Sequence, residues 1–181
     1  MVGKNKELLM ESELEHILMN AYKDQMMEYA QTHPECFDEA ASLSLTTRRH
    51  LCWRAAWLLH SNALENDERL RPYVSKFIDA IPGKKDGHQR ELLKLLQKMK
   101  LDEEQEGRLF DICVDMWEKI GNRPSVRYTA FMFMLSVVEK YPELKNEIEF
   151  FTQDHFLESL SPGIKAGLKQ KVKDMHRNNF E

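Results

Sequence analysis

The chain has 181 residues, 42% hydrophobic and 31% charged, with 26 Lys and Arg against 30 Asp and Glu for a net charge of −4. That is enough apolar material for one core or one short repeat array, and the acid excess weighs against nucleic acid as a partner of the whole surface. Seven glycines and six prolines are too few for a turn-rich all-β fold.

Residues 1–11 read as a frayed N-terminus and residues 12–178 as one helical repeat domain. Ser12 and Glu15 have capping-box spacing, and Leu14, Ile17, Leu18 and Ala21 follow at helical intervals. Thr32-His33-Pro34 closes that stretch, and Pro34 suits the first turn of a helix carrying Phe37, Ala40, Ala41 and Leu45. From Arg49 to Ser61 there is no glycine or proline, and apolar residues fall on nearly every side, which predicts a helix buried on several faces. Pro72 stands near the start of the next helix, with Tyr73, Val74, Phe77, Ile78 and Ile81 on one face. The stretch from Pro82 to Gly87 is the clearest break in the chain. Asp86 with Gln89, and Asp102 with Gln105, have capping-box spacing ahead of two further helices. Tyr128 to Val138 is a second stretch apolar all round, after the break at Gly121-Asn122-Arg123-Pro124. Pro142 opens another helix, and Ser161-Pro162 a last one through Ile164, Leu168, Val172 and Met175. No segment alternates with period two, so the prediction is all-α, with about eight to ten helices and no sheet.

The chain repeats itself. Ala56, Leu92 and Ala130 stand at steps of 36 and 38, and the same steps relate Ala63, Met99 and Val137, then Val74, Phe110 and Ile148. A period near 37 lies just under the roughly 40–47 of HEAT and armadillo repeats and above the roughly 34 of tetratricopeptide repeats. One helix pair cannot bury its own apolar face, whereas stacked pairs make a continuous core. The predicted fold is a short right-handed α-solenoid of stacked antiparallel helix pairs, HEAT/armadillo-like, in which each buried helix pairs with the amphipathic helix after it. The runs Arg54 to His60, Leu109 to Cys113 and Tyr141 to Leu144 resemble a small family of bacterial HEAT-like proteins, across residues 34–177. The resemblance implies the fold and no activity.

No residue set carries catalysis. There is no GxSxG, HExxH, P-loop or GxGxxG, so no catalytic residue, metal ligand or cofactor is assigned. Glu13 and His16 have the spacing of a carboxylate-bridged metal site but lack its second half. Cys36, Cys52 and Cys113 form no CxxC or disulfide framework, which suits a reducing, cytoplasmic compartment. No apolar run is long enough for a membrane span or a signal peptide.

The most suggestive pattern is basic. Arg54, Arg90, Arg127 and Lys165 recur at steps of 36, 37 and 38, each near the start of the first helix of a pair. Stacked pairs would align them along one edge, where guanidinium groups grip carboxylates or phosphates. The alternative is that each cation is paired inside the array or packs its stem on the core. Arg127 is one residue out of register with the apolar columns. Trp57, with Trp53 a turn before it and His60 a turn after, would floor the same groove or belong to the core. Arg54, Trp57, His60, Arg90, Arg127 and Lys165 are therefore the candidate partner-binding residues. The favoured function is a scaffold holding a protein or acidic peptide. Nucleic-acid binding remains open, because bacterial HEAT-like proteins that excise alkylated bases exist, although those are larger and strongly basic. A small-molecule enzyme is the third possibility.

Overall fold

A computed structural model describes residues 11–177, and nearly all of the stretch expected to be frayed lies outside them. Among the described residues there is no strand and there are eleven α-helices. They are α1 (Glu13–Asn20), α2 (Lys23–Thr32), α3 (Cys36–Leu45), α4 (Arg49–Asn62), α5 (Val74–Ala80), α6 (Asp86–Leu96), α7 (Glu103–Glu118), α8 (Pro124–Lys140), α9 (Lys145–Phe150), α10 (Asp154–Leu157) and α11 (Pro162–Arg177). Short 3₁₀ turns at Glu68–Tyr73, Ile81–Gly83 and Pro142–Leu144 lead into or out of α5, α6 and α9.

Two of the three capping signals hold. Ser12 Oγ accepts the Glu15 N–H at 3.0 Å. Asp102 and Gln105 close a reciprocal box at 2.8 and 3.2 Å. Asp86 does not cap: it is already the first residue of α6, and the Gln89 amide donates instead to the Ile81 carbonyl at 3.1 Å. The cap position falls to Lys85, whose side chain makes no cap bond, so α6 begins without a side-chain cap, while the His88 and Gln89 amides reach the Lys85 carbonyl.

The helices stack in two layers. The helices α4, α6 and α8 lie side by side in one, and α3, α5 and α7 back them in the other. At one end α1 and α2 rest against α4, and at the other α9 packs between α8 and α11. The main antiparallel partners are α3 with α4 and α7 with α8, so each buried helix pairs with the helix before it and not the one after. The long link from α4 to α5, residues 63–73, carries the chain across to the next pair.

The core runs the length of the stack. Ala55, Ala56 and Ala130 are fully buried, so the apolar columns of the repeat do mark its interior. Trp117 is fully buried, tilted against Phe131 at 4.5 Å between ring centroids, and its indole donates to the Phe151 carbonyl at 3.1 Å. Cationic side chains tie neighbouring pairs together. Lys84 Nζ donates to the carbonyls of Leu45 (2.9 Å) and Thr46 (2.6 Å) at the end of α3. Lys98 Nζ does the same to His60 and Ala63 at the end of α4, both at 2.9 Å. The last carbonyls of a helix have no partner within it, and the negative end of the helix dipole favours a cation there.

Candidate functional site

The wet flank of the inner layer lies where the first half of α4 meets the start of α6. Two depressions adjoin there and share Trp53 and Arg90 as a common wall. The smaller, about 330 Å³, is lined by Ala21, Tyr22, Lys23, Met26, Trp53, Arg54, Trp57 and Arg90. It holds three cations, and no carboxylate is among its described lining residues. The larger, about 660 Å³, runs from Thr46, Thr47 and Cys52 past Trp53 to Lys84, Lys85, Asp86, Gly87, His88, Arg90 and Arg123. The aromatic rings are open to solvent here: Tyr22 is 83% exposed and Trp53 38%.

Three of the predicted residues come together on this face. Arg54 is half-buried, donates to the Ala21 carbonyl at the end of α1, and leaves its Nε buried without a partner. Trp57 is half-buried against the core with the Lys23 ammonium 5.6 Å from its ring centre. Arg90 sends Nε (3.0 Å) and Nη2 (2.7 Å) to the same oxygen of Glu91 and lines both depressions.

The other three do not join them. His60 lines neither depression; its Nδ1 stands 3.3 Å from Glu91 Oε2, a close contact that falls short of a hydrogen bond. Lys165, on α11 at the far end, lines neither as well. Arg127 is wholly buried in the core. Its Nε donates to the Trp117 carbonyl (2.8 Å), Nη1 to Ser159 Oγ (2.7 Å) and Nη2 to the Phe156 carbonyl (2.6 Å), and its guanidinium lies 4.5 Å from the Trp117 ring centre. The step out of register turns Arg127 by about 100° around α8, away from the flank that Arg54 and Arg90 share. The row is therefore not a continuous surface feature.

Sequence reasoning passed over two buried residues here: His88, which lines the larger depression, and Glu91, which lies behind Arg90. Glu91 is 1% exposed, with Arg90 and His60 against it. Burial alone would raise its carboxyl, but His60 and Arg90 hold it below the ordinary carboxylate value. Its signal in the sequence was an acid directly ahead of the buried Leu92-Leu93. His88 is 6% exposed, and burial, with the Lys84 ammonium adding to it, pushes its pKa down to about 4, against a partial pull upward from the Ser44 backbone. The ring is thus neutral at pH 7, and its Nε2 is buried without a hydrogen-bond partner.

The three thiols are buried. Burial, with Glu35 and Glu39 beside it, raises Cys36 to about 11, and burial pushes Cys113 up further. No three His, Cys, Asp or Glu side chains gather as a metal site among the described residues. No helix among them is long and apolar enough to cross a membrane.

A family model described as a HEAT repeat domain matches residues 10–175. No curated protein and no solved structure matches the sequence. With the two-layered stack of helix pairs, the match across nearly the whole chain places the protein in the HEAT repeat domain family.

Proposed function

We propose that the protein is an interaction scaffold, and that the face between α4 and the start of α6 holds an acidic, partly apolar segment of a partner protein. The observation that carries this reading is the concentration of cations around open aromatic rings on a chain with a net charge of −4. Lys23, Arg54 and Arg90 supply charge for carboxylates, while Tyr22, Trp53 and Trp57 supply flat apolar area. Aromatic and arginine side chains are the usual anchors of protein interfaces. HEAT-like stacks are commonly interaction surfaces, which agrees with this reading without naming a partner. Arg54 and Arg90 are already tied to the Ala21 carbonyl and to Glu91, so their positions are set before any ligand arrives.

The test is a peptide-display selection followed by calorimetry at two salt concentrations. Enrichment of Asp or Glu flanking an aromatic or aliphatic residue is expected, with binding weakened about tenfold or more by Trp53→Ala combined with Lys23→Glu. Both residues are exposed, so helical content should be unchanged. Selection of no common motif, or of basic motifs, would defeat the proposal. A second reading, single-stranded nucleic acid, is favoured by the same alternation of rings and cations. Titration with an oligonucleotide at low salt separates the two.

A further inference from the structure

We propose that the larger depression is a phosphate site, taking the phosphomonoester of a phosphorylated serine or threonine in the segment bound next door. This extends the peptide reading, but it stands on different residues: Lys85, His88 and Arg123, none of which lines the smaller depression.

Charge comes first. Lys84, Lys85, Arg90 and Arg123 line the depression against the single carboxylate of Asp86. Lys84 is already committed to two carbonyls, Arg90 is paired with Glu91, and Arg123 meets Asp86 through its Nε at 2.9 Å. Lys85 is exposed and has no ion-pair partner among the described residues, and the Arg123 side chain is 74% exposed. A ligand with one negative charge would leave this excess unmatched, whereas a phosphomonoester carries nearly two at neutral pH and three terminal oxygens.

Geometry comes second. The α6 N-terminus opens onto the same depression with no side-chain cap, and it has no bulk at Gly87. A Cβ there would meet Trp53 Nε1 at 3.1 Å, so the glycine lets the indole edge lie close over the first turn. A helix start without a side-chain cap, at the positive end of the helix dipole, is suited to an anion.

The third observation is His88. This residue is part of the lining, its Nε2 is buried and unpartnered, and a buried polar atom without a partner is costly. With the other ring nitrogen on the Ser44 backbone, the neutral ring offers Nε2 as an acceptor, which the P–O–H of the phosphate monoanion fills.

The experiment compares two pools of the same degenerate acidic peptides, one with a central phosphoserine and one with serine, by fluorescence anisotropy. The ring nitrogens of His88 are followed by NMR during a parallel titration with inorganic phosphate. We expect the phosphorylated pool to bind at least tenfold tighter and the His88 Nε2 resonance to move with phosphate. Lys85→Gln with Arg123→Gln should bring the two pools to near parity while leaving binding of the serine pool as it was. Equal binding of the pools by the unaltered protein overturns the proposal, as does a His88 signal that phosphate does not move. Phenyl phosphate binding as tightly as the phosphopeptide, or displacement of the phosphopeptide by a single-stranded oligonucleotide, overturns the assignment to a peptide. A response of His88 to phosphate with neither pool bound would sink the peptide reading and leave the anion site standing.

Discussion

Arg127→Met tests whether the buried arginine holds the stack together. Methionine keeps the apolar stem and most of the volume, so the change isolates the guanidinium. Its removal strands the Trp117 and Phe156 carbonyls, which lie 2.8 and 2.6 Å from it in a buried site, while the Ser159 hydroxyl is exposed and can turn to water. Each buried polar atom left unpaired costs about 1–3 kcal/mol. Against that, the variant no longer has to bury a charge, a relief of several kcal/mol; burial already pushes the Arg127 pKa down. In the usual buried ion pair both partners can be exchanged for apolar groups, but here two acceptors are main-chain carbonyls that no substitution removes. The net loss expected is about 1–3 kcal/mol, a fall in midpoint of about 3–10 °C for a chain of this size. Arg127→Lys should fall between, because one ammonium cannot span three acceptors that the guanidinium fork reaches separately. Urea and thermal unfolding measure both variants. Hydrogen exchange should also show residues 154–160 loosening first, since Phe156 and Ser159 hold one side of the site. If Arg127→Met were as stable as the unaltered protein, the bonds would not outweigh the burial of the charge, and the account would be wrong.

Three further outcomes follow from burial. His88 is neutral in the fold with a pKa pushed down to about 4, so its contribution is complete above its ordinary value near 6.5 and is lost as pH falls through about 4. His88→Gln should therefore flatten the loss of unfolding free energy between pH 7 and 4 by up to about 3 kcal/mol, and parallel pH profiles would contradict the neutral ring. Ala56→Leu and Ala130→Leu should each destabilise by about 1–3 kcal/mol through overpacking, and an unchanged urea midpoint would misplace the core. Cys36 and Cys113 should resist iodoacetamide at pH 8 until denaturant is added, because burial raises both thiols well above that pH. Mass spectrometry that found either one alkylated in the native protein would refute this.

The fold was legible because apolar periodicity reports burial directly. The columns through Ala56 and Ala63 are interior positions in the structure, and that through Val74 is interior except for the half-buried Phe110. The site was only partly legible, because a side chain's charge does not say which atoms it will meet. Arg54 and Arg90 reach the face, yet Arg127, of the same residue type and nearly the same period, reaches its three acceptors from inside the core. Two of those acceptors are main-chain carbonyls, which a sequence does not display. Asp86 illustrates the same limit at short range: the spacing of a cap was present, but the turn at Ile81–Gly83 put a carbonyl within reach of Gln89 first. Glu91 went unnoticed because an acid beside a run of leucines reads as the wet side of a helix unless its partners, one of them a helix away, are known.

The joints between helix pairs are specified from one side only. Lys84, Lys98 and Arg54 each end on the main chain of a preceding helix, and a carbonyl is offered there whatever side chain that residue bears. Drift at Leu45, Thr46, His60 or Ala21 would leave the acceptor in place, whereas loss of the cation would open the joint. The receiving ends are thus generic sockets and the long cations are the plugs. A helix pair exchanged between arrays would need to bring only its own lysine or arginine, at the right place in its sequence, to be accepted by a neighbour it had never met.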